Sequence, residues 1–315
     1  MMPASPRRLV CIPRFVWFLI VTLALPFSAT VALAEPLPRF FFSGDGNLAI
    51  ENAHTNEKIA VEYRRADGTY DDAALARIRH VFRSRSDQKE GPVSLRLVEL
   101  LGYVQSQYRP KQMILVSGYR SPELNASLAG VAESSLHTQG LAADVMLPGI
   151  DLKRTWIRLR EAQAGGVGYY ATDKFLHIDT GQPRFWEKST SRVGEKLAAG
   201  NARVFARTDF DRHKTLIGAE VRLYNITAVP LRVARKARLV GYSDAVVRLQ
   251  PIAGDEDGDC IVIRKAGEPY AINIAAIEHE PQTGARRTRI ALSTCEPRLE
   301  ATAATIETNE IEIGR

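Results

Sequence analysis

Past its first 34 residues the chain has no long apolar run, so nothing in the remainder is fit to span a bilayer and a soluble protein is expected. Charge of one sign is lacking too. The formal net charge of +6 falls to +3 once Arg7, Arg8 and Arg14 are set aside, and no basic helix or aromatic-basic platform accompanies it. Nucleic acid is therefore excluded as a partner on charge grounds, while a polyanionic wall polymer is compatible. No internal repeat is present. Cysteine is scarce: of the three, Cys11 falls in the N-terminal segment, which leaves Cys260 and Cys295 to form one disulfide in an exported chain.

The one apolar run is N-terminal. Arg7, Arg8 and Arg14 precede VWFLIVTLALPFSATVALA, which ends in Ala32-Leu33-Ala34 before Glu35. A basic head, an apolar stretch and a small-x-small end describe a secretory signal peptide cleaved after Ala34. A retained anchor is the other reading, and Pro26 and the small residues near the end argue against it. Arg7-Arg8 is followed by Leu-Val-Cys rather than a twin-arginine consensus, which favours the general export route.

Two regions follow, residues 35–190 and 191–315. In the first, FFFSGDG, NLAIENAHT and EKIAVEYRRADG suggest short strands between turn residues. DDAALARIRHVFR repeats apolar residues at Leu75, Ile78, Val81 and Phe82, the spacing of one helical face, with Asp71 or Asp72 as its cap. Ser94 caps a second predicted helix, MILVS (113–117) reads as a buried strand, and Asp151 caps the amphipathic LKRTWIRLREAQA. Strands at 165–170 and 175–181 complete an α+β pattern without regular alternation. In the second region helical periodicity fades into alternating runs such as AEVRLYN, LRVARKARLVGY and CIVIRK, the texture of a smaller, mostly β domain. AGDEDGD (253–259) reads as a solvated turn, since it lacks the ordered ligands and closing Glu of a calcium loop. Partial disorder is expected in the tail after Glu296.

Candidate chemistry concentrates in SSLHTQGLAADV (134–145) and FLHIDTG (175–181). His137, Asp144 and His177 are natural metal ligands, because catalytic zinc takes three N or O donors and keeps one position open. His137 is expected on a loop entering a strand, Asp144 on that strand and His177 on a neighbour, with small residues at 140, 142 and 143 allowing close approach. By spacing alone the group reads either as a metal site or as an ordinary hydrogen-bonded Asp–His pair. The other histidines, His54, His80, His213 and His279, read as surface residues.

SGYRSPELN, SSLHTQGLAADV and GGVGYYATDKFLHIDTG, in that order, resemble the zinc D-Ala-D-Ala peptidase family, in its murein endopeptidase K-like branch. The resemblance runs from about Gly46 to Trp186 and rests on Ser135-x-His137-x-x-Gly140-x-Ala142-x-Asp144 with His177 downstream. It implies a small mixed domain with an antiparallel sheet and flanking helices. It also implies Zn2+ on His137, Asp144 and His177, Arg120 facing substrate, and a periplasmic enzyme cutting peptidoglycan cross-link peptides through activated water. Other branches trim terminal D-Ala, so a D,D-carboxypeptidase is the near alternative, and a zinc-stabilised wall-binding module the distant one. The sequence departs from the family at one point. Better-known members place Glu three residues before the second His; here that position is Lys174, with Asp173 before it. Asp179 lies on the same strand face as His177 and stands either as general base or as a group orienting the imidazole. Tyr169, Tyr170 and Ser135 are candidate wall residues, and Gln139 a brace for the loop.

Overall fold

The computed structural model describes residues 38–128, 135–188, 204–225, 229–252, 255–264, 269–278, 287–295 and 303–314. The expected signal segment and His279 lie outside the described residues. Residues Glu35–Arg315 form one compact unit. Among the described residues, no helix is long and apolar enough to cross a membrane.

The first region runs β1 (Asn47–Asn52), β2 (Lys58–Glu62), α1 (Asp72–Val81), α2 (Leu95–Tyr108), β3 (Met113–Ser117), α3 (Pro122–Ser127), a 3-10 turn (Leu136–Gln139), β4 (Ala142–Met146), α4 (Leu152–Ala162), β5 (Gly166–Tyr170), β6 (Phe175–Asp179) and β7 (Arg184–Glu187). FFFSGDG is irregular rather than a strand, with Phe40 buried. Asp71 caps α1 by accepting from the Ala74 amide, as Asp151 caps α4 through Arg154. Ser94 precedes α2, but its hydroxyl makes no capping bond.

The strands order as β2-β1-β3-β4-β6-β5-β7. Two pairings are parallel, β1 with β3 and β5 with β7, where the resemblance implied an antiparallel sheet. Each has a local reason: β2 returns the chain to the start of β1 before α1 and α2 lead on to β3, and the turn after β6 crosses the start of β5 before β7 begins. One face of this sheet packs on the helices through Ile50, Met113, Leu115, Ala143, Val145, Leu176 and Ile178, against Ile78, Leu97, Leu101 and Leu159. Beneath α2, the fully buried Glu99 accepts hydrogen bonds from Tyr63 (3.1 Å), Tyr70 (2.8 Å) and Arg64 Nε (2.7 Å).

The second region is strands alone among its described residues: β8 (Val204–Thr208), β9 (Arg212–His213), β10 (Glu220–Asn225), β11 (Leu231–Leu239), β12 (Val246–Pro251), β13 (Asp255–Asp257), β14 (Cys260–Ile263), β15 (Pro269–Glu278), β16 (Arg287–Thr288), β17 (Ile290–Thr294), β18 (Thr305–Glu307) and β19 (Ile311–Ile313). The path β13-β14-β11-β12-β15-β10-β8 forms its main sheet, extended by β17 and β18 beside β11. Alternating Val221, Leu223, Val233, Val247, Leu249, Ile272 and Ile274 fill a separate core. The Cys260–Cys295 disulfide forms, with Cα atoms 6.5 Å apart. One expectation changes: Asp255–Asp257 is a strand of a tight hairpin with β14. In the tail after Glu296, the described residues include two paired strands, β18 and β19.

Candidate metal centre

β4 pairs with β6 in a register that sets Ala142 opposite Asp179 and Asp144 opposite His177. Alternation sends Ala143, Val145, Leu176 and Ile178 to the helix-packed core, so Asp144, His177 and Asp179 share the other face. His137 arrives from the 3-10 turn rather than from an open loop. That turn ends at Gly140 with φ 65°, where an added Cβ would stand 1.8 Å from the Pro92 carbonyl oxygen. Only glycine closes it there.

Three donor groups converge. His137 Nδ1 donates to the Gly118 carbonyl at 2.7 Å, which leaves Nε2 to face the other two residues. From that Nε2, His177 Nδ1 is 3.3 Å and Asp144 Oδ1 3.4 Å away, and the last two atoms are 2.9 Å apart. His137, Asp144 and His177 are all buried, and one potential ligand atom from each lies within 4.8 Å of the others. Two imidazoles and one carboxylate, buried together with their second ring nitrogens already engaged, are a donor set that suits zinc with an open coordination position.

The surroundings fix these groups. Arg120 donates to Asp144 Oδ2 at 2.8 Å and to Ser117 Oγ at 3.0 Å. Asp179 is wholly buried behind the His177 ring, 2.9 Å from its Nε2. Its carboxylate also accepts from the Gly166 and Gly181 amides at 3.1 and 2.8 Å and pairs with Arg184 at 2.8 Å. Gly166 is required under it: an added Cβ would stand 2.2 Å from Asp179 Oδ2. Burial opposes ionisation of Asp179, but Arg184 and His177 outweigh it and hold the carboxyl well below the usual range. Burial likewise opposes Asp144, and the two histidines hold it low. Burial pushes His137 down.

The remaining candidates separate by strand face. Tyr170 stacks on Phe175 at 4.3 Å, and its hydroxyl accepts from Trp186 Nε1 at 3.2 Å. Trp186 in turn stands 5.1 Å from the His177 ring, a wall residue with no sequence motif to mark it. Tyr169, one position before Tyr170, turns to the core beside Trp156. Ser135 and Gln139 are buried at the two ends of the His137 turn. Lys174 takes the left-handed position of the β5–β6 hairpin, and Asp173 pairs with Lys188 at 2.8 Å. Arg184 and the Gly118 carbonyl were not legible in the sequence; both act through contacts that no local spacing encodes. His80 and His54 are ordinary polar contacts, with His80 near Glu90 and His54 near the Val116 carbonyl. His213, expected at the surface, is buried, because the β9–β19 pairing covers it and its Nε2 meets the Phe210 carbonyl at 2.9 Å.

A family model described as peptidoglycan L,D-endopeptidase MepK matches residues 43–186. Among curated proteins, the peptidoglycan L,D-endopeptidase MepK of Escherichia coli (strain K12) is 36% identical over 167 residues, covering 51% of this chain and 87% of that protein. The probable peptidoglycan L,D-endopeptidase MepK of Haemophilus influenzae is 29% identical over 169 residues, covering 52% and 87%. No solved structure matches significantly. With the matched stretch carrying the whole His–Asp–His group, the chain belongs to the peptidoglycan L,D-endopeptidase MepK family.

Proposed function

We propose that this protein is a zinc metallopeptidase that hydrolyses an L,D peptide bond in peptidoglycan cross-links, exported by residues 1–34, with residues 35–190 as the catalytic domain and 191–315 as an appended β domain. One observation carries the reading: His137, Asp144 and His177 offer three buried donors within 4.8 Å, on a stretch that the family model covers. A zinc ion held by these three would supply Lewis acidity, lowering the pKa of water and polarising the scissile carbonyl.

The chain's own groups do the positioning. Gly118 and Asp179 fix which nitrogen each imidazole presents. Arg120 holds Asp144 and is the cation placed to receive negative charge developing on the carbonyl oxygen or a substrate carboxylate. Asp179 serves as a positioning residue rather than as the base, because its oxygens are taken up by His177, Arg184 and two amides behind the ring. Trp186, Tyr170 and Phe175 form an aromatic wall beside His177 for the peptide stem.

The test uses purified protein loaded with zinc on cross-linked muropeptides, beside His137→Ala, with products read by mass spectrometry. Cleavage at an L,D bond that vanishes in the variant supports the proposal. Release of terminal D-Ala instead assigns the carboxypeptidase activity, and wall binding without products overturns hydrolysis altogether.

A further inference from the structure

The family match ends at residue 186, yet the β region beyond it reaches back to the metal centre. Phe205 of β8 and Tyr224 of β10 stack at 4.6 Å and form a small buried cluster with Leu136, Leu141 and Ala142. Those three residues bracket the turn that carries His137 and begin the strand that carries Asp144. Two positions along β8, Arg207 Nε donates to the Thr180 carbonyl at 3.1 Å, and its Nη2 donates to the Gly181 carbonyl.

The Thr180 carbonyl and the Gly181 amide belong to one peptide plane. Its oxygen accepts from Arg207, and its N–H donates to Asp179 Oδ1 at 2.8 Å. The opposite Asp179 oxygen meets His177 Nε2 at 2.9 Å. Guanidinium, peptide, carboxylate and imidazole thus form a chain of hydrogen bonds in which each member polarises the next. A peptide plane is rigid, so holding its oxygen sets the direction of its N–H. The Thr180 amide, bonded to the Leu141 carbonyl at 3.0 Å, keeps the same turn against the start of β4. Enclosure, with Arg96 nearby, pushes Arg207 down to about 10, so it remains charged at neutral pH.

We infer that Arg207, outside the family-matched stretch, is a positioning residue for the metal centre: through the Thr180–Gly181 peptide it orients Asp179, and through Asp179 it orients His177. The β region is then a working part of the catalytic unit rather than a passive appendage. This rests on the metallopeptidase reading above.

The test compares full-length wild type, Arg207→Met, Arg207→Lys and Val247→Ala. Val247 is buried in the second core, so its truncation destabilises the β region without touching the relay. Three quantities are measured: zinc release to a chelator well below the melting temperature, kcat and KM on muropeptides, and the melting temperature itself. Arg207→Met is expected to speed zinc release and lower kcat by about three- to tenfold with KM little changed, less than the 10–100-fold typical of a ligand's direct partner. Arg207→Lys falls between, since one ammonium cannot hold both carbonyls in a fixed plane. Wild-type zinc release and kcat in Arg207→Met overturn the inference, as does Val247→Ala giving the same losses at equal melting temperature. If Arg207→Met does not fold, wild-type values in Arg207→Lys overturn it. A wild type that neither holds zinc nor cuts muropeptides instead overturns the metallopeptidase reading, whatever the variants do.

Discussion

Asp144 and His177 stand directly opposite each other across the β4–β6 ladder, with Asp144 Oδ1 2.9 Å from His177 Nδ1. Two of the three donors of the candidate centre are thus a cross-strand pair, held by backbone hydrogen bonds on both sides rather than by a loop. Asp144→Asn keeps the size and removes the charge that faces both imidazoles and Arg120. Zinc affinity, measured by chelator competition, is expected to fall more than about 100-fold, beyond the range for outer partners of a ligand. Wild-type affinity in this variant would remove Asp144 from the ligand set.

Asp179→Asn separates orientation from proton transfer. Asn can still accept from the Gly181 amide but carries no charge for His177 and Arg184, which it meets at 2.9 and 2.8 Å. Zinc affinity and kcat are expected to fall together by about 10–100-fold. The acid limb of the kcat/KM profile should keep its position, because the carboxylate does not take the reacting proton. A variant that holds zinc like wild type but loses its acid limb would make Asp179 the base after all.

The candidate donors His137, Asp144 and His177 could be picked out because metal chemistry restricts residue type, but their spacing alone left an ordinary Asp–His pair equally open, and only the family resemblance pointed to zinc. Many strands of both regions were legible from their apolar patterning, but β7, β8, β13, β18 and β19 were not, and FFFSGDG was misread as one. Strand order was not legible: nothing local places β7 parallel to β5, and it is that placement which brings Trp186 beside His177 and Arg184 over Gly166. Asp179 was found by face alone, but its distinction between base and positioning group depends on Arg184 and two amides that converge only in three dimensions. Tyr169 and Tyr170 show the same limit at single-residue scale, since alternation sends one to the core and the other to the site wall.

Glu99 is a fully buried acidic residue of α2, taking Arg64 Nε at 2.7 Å and two tyrosine hydroxyls. Glu99→Ala leaves a guanidinium without its acidic partner and two hydroxyls without an acceptor. A loss of about 3–5 kcal/mol is expected, read as a lower midpoint in denaturant. Glu99→Gln keeps an acceptor and loses less. Because the network lies across the sheet from the metal centre, zinc affinity of the folded fraction should be unchanged; a shift there would reveal coupling through β1 and β3.

Zinc binding at the candidate centre is expected to depend on pH through His177. Burial works against a charged His177 ring, but hydrogen bonds to Asp144 and Asp179 outweigh it and raise the ring above its ordinary value of 6.5. Burial pushes His137 below the same value. The charged His177 therefore stabilises the metal-free fold fully below the unfolded value, and that contribution is lost as pH rises through the raised one. Zinc needs the bare Nδ1, so binding releases one proton wherever the ring is charged. Apparent zinc affinity should then fall about tenfold for each pH unit below the raised His177 value and level off above it. Isothermal titration of zinc into the metal-free protein in two buffers of different ionisation enthalpy measures the proton released. Below the pH at which zinc-bound water would itself ionise, one proton at low pH declining as pH rises through the raised His177 value is the expected result; no proton release in that range would mean that His177 is neutral without metal and that its two carboxylate contacts only orient it.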